Sequence, residues 1–69
     1  MRIRGTVKAW HADRGYGFIS PDDGGHDIFV HCREVPGYDH LNVGWDVEYS
    51  IALNGDRQRA INVKVLEDT

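Results

Sequence analysis

Apolar and polar residues alternate along most of this chain. Between residues 2 and 10, Ile3, Gly5 and Val7 alternate with Arg4, Thr6, Lys8 and Trp10. Residues 15–20 set Gly15, Gly17 and Ile19 against Tyr16, Phe18 and Ser20, and residues 26–31 set Ile28 and Val30 against Phe29 and His31. Residues 46–53 alternate again through Val47, Tyr49, Ile51 and Leu53, and Ala60 to Leu66 supplies a fifth segment. A period of two belongs to β-strands, whose successive side chains point to opposite faces. Turn residues separate the segments. In Pro21-Asp22-Asp23-Gly24-Gly25 the proline presets φ, and Asp and Gly supply local hydrogen bonds and positive φ; Asn54-Gly55-Asp56 does the same later. No helix of ordinary length has room to form.

Five short strands in one open sheet would leave two edges able to pair with other chains, and closure into a barrel removes them. The expected architecture is therefore all-β, a five-stranded antiparallel barrel of the OB type, with one domain over residues 1–69. Its longest connection, Cys32 to Gly44, must cross from one part of the barrel to the other.

Strand parity then sorts side chains into an inner and an outer set. Val7, Gly17, Ile19, Ile28 and Val30 share one parity, and such branched aliphatic residues suit a tight curved core. Lys8, Trp10, Tyr16, Phe18, Phe29 and His31 share the other and are expected to face water. So many rings outside make an apolar patch, and patches of that kind bind something. The competing reading puts Phe18 or Phe29 in the core, with the parity broken by a bulge. Gly15 and Gly17 favour the outward reading, because they leave space around Tyr16 for another molecule to approach. Lys8 and Arg14 bracket the rings with positive charge. Flat rings beside cations suit an unpaired nucleic-acid strand, whose bases stack while its phosphates pair with the cations.

Composition changes this picture little; charge distribution changes it more. The 69 residues are 41% hydrophobic and 28% charged, with a net charge of -3, which by itself disfavours a polyanionic partner. Residues 1–19, however, hold Arg2, Arg4, Lys8 and Arg14 against Asp13 alone. Residues 57–69 are also basic on balance, through Arg57, Arg59 and Lys64. The acids concentrate between, so an acidic protein can still own a basic face. No apolar run is long enough for a membrane span, and Cys32 has no second cysteine to pair with, so an intracellular, cytoplasmic chain is expected.

At Arg14-Gly15-Tyr16-Gly17-Phe18-Ile19 a family resemblance becomes specific, since this segment resembles the ribonucleoprotein pattern of basic, Gly, aromatic, Gly, Phe, aliphatic. Asp27-Ile28-Phe29-Val30-His31 is similar to the second such segment of cold-shock domains. Gly5-Thr6-Val7-Lys8, Ala12-Asp13, the Pro21–Gly25 turn and Ala60 to Val63 continue the resemblance across residues 3 to 65. It implies an OB-type barrel that binds single-stranded RNA or DNA and acts as an RNA chaperone. It implies stacking roles for Trp10, Tyr16, Phe18, Phe29, His31 and Tyr38; beside them Lys8 and Arg14 are expected, from their place next to the rings, to neutralise phosphates. Two positions depart from the family's pattern. Ala9 stands where cold-shock proteins usually have an exposed Trp, and Cys32 where an aromatic usually follows the His. Arg57-Gln58-Arg59 also replaces a common Gly-Pro-Gln stretch.

Catalysis finds no support in the residue pattern. There is no nucleophile with a base and orienting group, no phosphate-cradling loop, and no His/Cys spacing of a zinc module. No enzyme activity, cofactor or metal is expected, nor a membrane partner. The second function class is a protein-interaction or dimerisation module whose nucleic-acid face has weakened, motivated by Ala9, Cys32 and the negative net charge. In either class the chain is expected to be a monomer or a strand-exchanged homodimer, the Cys32–Gly44 connection serving as the hinge of such a dimer.

Overall fold

A computed structural model describes residues 2–66. The five strands are β1 (Ile3–His11), β2 (Tyr16–Pro21), β3 (Ile28–His31), β4 (Asp46–Asn54) and β5 (Arg57–Val65). They close into a barrel in the order β1-β2-β3-β5-β4. A single turn of 3-10 helix, Cys32–Glu34, opens the long connection after β3.

The expected barrel is present, but its pairing is mixed rather than wholly antiparallel. β3 meets β5 in parallel, Phe29 opposite Arg59 and Val30 opposite Ala60, while the other four contacts are antiparallel. The reason is connectivity. β3 and β4 are not neighbours, so the long connection carries the chain across the barrel before β4 and β5 form their hairpin. β5 also begins at Arg57, earlier than Ala60, because the Asn54–Arg57 turn lets pairing start at once.

Inside lie Val7, Ile19, Ile28, Val30, Val47, Tyr49, Ala60 and Val63, with Val35 and Leu41 from the long connection packed into the same cluster. This is the aliphatic parity set plus residues of β4 and β5. Two glycines let the strands close so tightly. A Cβ on Gly5 would lie 2.6 Å from Ile19 Cγ2, and one on Gly17 would collide with the Ala9 carbonyl and lie 2.6 Å from Trp10 Cε3.

The expected parity fails in one place. Val7 pairs with Ile19, but Ala9 pairs with Phe18, so β1 carries a bulge at Lys8–Ala9. An extra residue in one strand turns everything after it to the opposite face. Trp10, expected outside, therefore pairs with Gly17 and packs against the core, half-buried, with its indole Nε1 lacking a partner among the described residues. Gly17 is the space its ring occupies.

Tyr49 is wholly buried, and its hydroxyl has no hydrogen-bond partner among the described residues. Burial raises its pKa above the usual 10.0, and the charges of Asp23 and Asp22 push the same way. An orphaned buried hydroxyl costs about 1–3 kcal/mol, so Tyr49→Phe is expected to leave stability at neutral pH unchanged or raise it by about 1 kcal/mol. A pKa raised by folding contributes stability that is complete below the unfolded value and lost as pH climbs through the folded one. Urea midpoints between about pH 8 and pH 11 should fall more steeply for the wild type than for Tyr49→Phe. Gly17→Ala should cost about 1–3 kcal/mol by overpacking, read from the same midpoints, because the obstructing Ala9 carbonyl is backbone and cannot rotate away.

Candidate nucleic-acid interface

The registers around the barrel define one transverse row on its outer surface: Ala9, Phe18, Phe29, Arg59 and Ala52, each paired with the next. A second, shorter row runs His11, Tyr16, His31. The inner row between them is Trp10, Gly17, Val30, Ala60 and Ile51. Side chains of Phe18, Phe29, Tyr16 and His31 thus share the outer face by strand geometry, as parity predicts for β2 and β3.

These rings form one contiguous cluster. Tyr16 lies 5.4 Å from Phe29, tilted by 32°, and 6.2 Å from Phe18 at 88°. Phe18 and Phe29 are 6.0 Å apart at 75°. Edge-to-face packing of this kind favours aromatic pairs and holds the rings in place. All three are half-buried, so each keeps part of its surface in water. His11, not foreseen as a member, joins the cluster 5.1 Å from Tyr16. It does so only because the bulge turns Trp10 inward and His11 outward, and no alternation pattern announces a bulge.

His31 has a second task. The Arg33 amide donates to its Nδ1 at 3.1 Å, which makes His31 the N-cap of the 3-10 turn. Because the amide can only donate, Nδ1 is unprotonated, and the neutral ring carries its proton on Nε2. Cys32 follows on the turn, half-buried, its Sγ 3.7 Å from the same Nδ1.

The cations divide into paired and open ones. Lys8 is exposed beside the rings, its Nζ 3.0 Å from an Asp27 carboxylate oxygen. Arg14 is exposed in the turn between β1 and β2, where the Arg14 and Gly15 amides both donate to the His11 carbonyl. Beyond Phe29, the start of β5 and the end of β4 border a cleft of about 370 Å³ lined by Phe18, Phe29, Asn54, Arg57, Gln58 and Arg59. Tyr38 stands in the long connection with its ring 5.8 Å from Trp45, and Trp45 in turn lies 6.2 Å from His40. Among the described residues, ring contacts do not link this second cluster to the first. Asp39 beside it has its pKa lowered, first by its hydrogen bond with His40.

Of the eight residues expected to meet nucleic acid, Tyr16, Phe18, Phe29 and His31 come together on one face. Lys8 and Arg14 lie on neighbouring exposed segments of the β1–β2 hairpin. Tyr38 sits in a separate cluster, and Trp10 belongs to the inner layer. A larger cleft of about 670 Å³ lies around Gly5, its lining including Arg4, Lys64, Asp22 and Asp46. Among the described residues its lining holds no ring and no excess of positive charge, so these residues offer a nucleic-acid strand neither stacking nor neutralisation. Among the described residues, no group of His, Cys, Asp and Glu could hold a metal ion, and no helix is long and apolar enough to cross a membrane.

Known proteins resemble this chain closely. It is 41% identical over 68 residues to a cold shock-like protein of Aquifex aeolicus, covering 96% of this chain and 97% of that one. It is 42% identical over 67 residues to cold shock-like protein CspB of Yersinia pestis, covering 94% and 96%. Glycine-rich protein 2 of Nicotiana sylvestris is 43% identical over 66 residues, 91% of this chain but only 31% of that protein's length. Among solved structures, the drosophila Unr CSD456 structure superposes with a TM-score of 0.81 at 25% identity, over 97% of this chain and 27% of that one. Residues 3–66 match the 'Cold-shock' DNA-binding domain, and the chain belongs to that family of nucleic-acid-binding barrels.

Proposed function

We propose that this protein binds single-stranded RNA or DNA with little sequence preference, by stacking bases on Tyr16, Phe18, Phe29 and His31. The observation that carries this reading is the contiguous Tyr16–Phe18–Phe29 cluster on the outer face of the barrel. Every base has a π-face, so a ring platform accepts any sequence. Paired bases are already stacked and cannot lie on it, so duplexes bind poorly. A protein that holds strands open in this way acts as an RNA chaperone without any chemical step. Lys8 and Arg14 supply positive charge to the backbone, though Lys8 must share its charge with Asp27.

Trp10 has no stacking role in this reading. The register also explains what Ala9 means: it lies beside Phe18 in the outer row, so the row ends there in a methyl group instead of a ring. Cys32 likewise contributes no ring after His31. The platform is correspondingly shorter, and binding should be weaker than a full set of rings allows, at about 1–3 kcal/mol per stacked base.

Titration of fluorescently labelled oligo-dT or oligo-U, followed by anisotropy, tests the proposal. Binding that weakens with salt and is abolished or strongly reduced in Phe29→Ala is expected. Phe18→Ala and Phe29→Ala should mainly reduce affinity, whereas Ile28→Ala should mainly reduce stability, by about 2–5 kcal/mol. If the phenylalanine variants lost only stability, the stacking assignment would be wrong. An oligonucleotide without effect, together with a concentration-dependent elution volume, would instead indicate a protein-docking face. Ala9→Trp should gain affinity, on the order of 5- to 150-fold for about 1–3 kcal/mol of added stacking, measured in the same titration.

A further inference from the structure

The cleft beside the rings carries more than the stacking reading uses. Arg59 is paired with Phe29 across the parallel β3–β5 contact, and residues in register share a face. Arg57, two residues earlier on β5, takes the same side. The Asn54-Gly55-Asp56 turn, with Gly55 at φ 69, folds β4 back onto β5 and brings Asn54 opposite Arg57. The result is a cleft with Phe18 and Phe29 on one wall, Arg57 and Arg59 on the other, and, among the described residues, no carboxylate in its lining.

Neither guanidinium has an ion-pair or side-chain hydrogen-bond partner among the described residues. Three cations near the N-terminal end of the chain do: Arg2, just before β1, holds Glu48 at 2.7 Å, and on β1 Arg4 approaches Glu48 at 3.9 Å and Lys8 holds Asp27 at 3.0 Å. Using Lys8 for a phosphate means giving up Asp27. Using Arg57 and Arg59 means giving up only water. Their planar forks also suit phosphate oxygens, which accept two parallel N–H bonds from one guanidinium.

We propose that the start of β5 is a phosphate-binding wall of the nucleic-acid site, in which Arg57 and Arg59 neutralise two backbone phosphates of the strand whose bases stack on Phe18 and Phe29. This rests on the stacking reading above. Its consequence is a shift in how the strand is held. With no ring at position 9 or 32, less of the affinity comes from stacking and more from ion pairing, and the added cations lie at the β5 end of the ring row, opposite Ala9. Cations then bound the ring face from both sides, Arg14 at the β1–β2 turn and Arg57 with Arg59 on β5.

Counterion release gives the test its scale. Each phosphate neutralised on a single strand contributes about -0.7 to the slope of log K against log salt. Oligo-dT affinity is measured by anisotropy across a series of NaCl concentrations for the wild type, Arg57→Gln/Arg59→Gln, Arg57→Lys/Arg59→Lys, Phe29→Ala and Arg4→Gln, with circular dichroism to verify that each is folded. The double Gln variant is expected to flatten the slope by about 1.4 and to lose affinity mainly at low salt. The double Lys variant should keep the slope. Phe29→Ala should lose affinity at all salt concentrations with its slope retained, and Arg4→Gln should match the wild type. If the wild type binds and Phe29→Ala weakens it, but the double Gln variant keeps the full slope, the phosphate wall is overturned and the stacking face stands. If the wild type does not bind oligo-dT at all, both fall together.

Discussion

The contact between β3 and β5 is the constraint on which the rest depends. Two residue pairs make it, Val30 with Ala60 and Phe29 with Arg59. The first pair points inward and closes the core, since both residues are fully buried. The second points outward and sets a ring beside a guanidinium. Closing a sheet of five short strands leaves little freedom in register, because a slip of one residue would turn Ala60 out and Arg59 into the barrel. Core and surface are therefore fixed by the same few backbone hydrogen bonds. A barrel stable enough to exclude water from Val30 presents Phe29 and Arg59 side by side as a matter of geometry.

What the sequence made legible follows from how local each feature is. The strands and turns were readable because alternation and the Pro, Asp, Asn and Gly signals act over a few residues. The outward direction of Tyr16, Phe18, Phe29 and His31 was readable because β2 and β3 pair residue for residue without interruption. Trp10 was misplaced because β1 gains a residue against β2 at Lys8–Ala9, and alternation of Lys, Ala and Trp looks the same with a bulge or without one. The parallel β3–β5 contact was not readable either. It joins segments some thirty residues apart, and its reward is tertiary packing, for which short-range patterning carries no mark. Arg57 and Arg59 were visible as an unusual pair of cations, but their place next to the phenylalanines depended on that same distant contact.

The bulge also separates the fates of positions 9 and 10. The extra residue puts Lys8 and Ala9 together on the outside and sends Trp10 inward, where the absence of a side chain at Gly17 leaves space for the indole. A large ring at position 10 is thus a packing element of the barrel end. It lies on the other side of the strand from position 9, however similar the two look when written in a line. Gly17 and the aliphatic core thus form a frame that displays a methyl group at Ala9 beside the ring of Phe18.

One small hydrogen bond has a wider bearing. His31 fixes its own imidazole by accepting the Arg33 amide, so the first turn of the long connection and a side chain of the outer face share one anchor. In the stacking reading, the ring's orientation is set before a strand arrives, which spares the complex part of its ordering entropy. The same economy makes His31 a poor place to dissect recognition by mutagenesis. Replacing it would loosen the loop leading to Val35 and Leu41 at the moment it removed the ring, and lost affinity there would confound a missing contact with a slackened lid on the core.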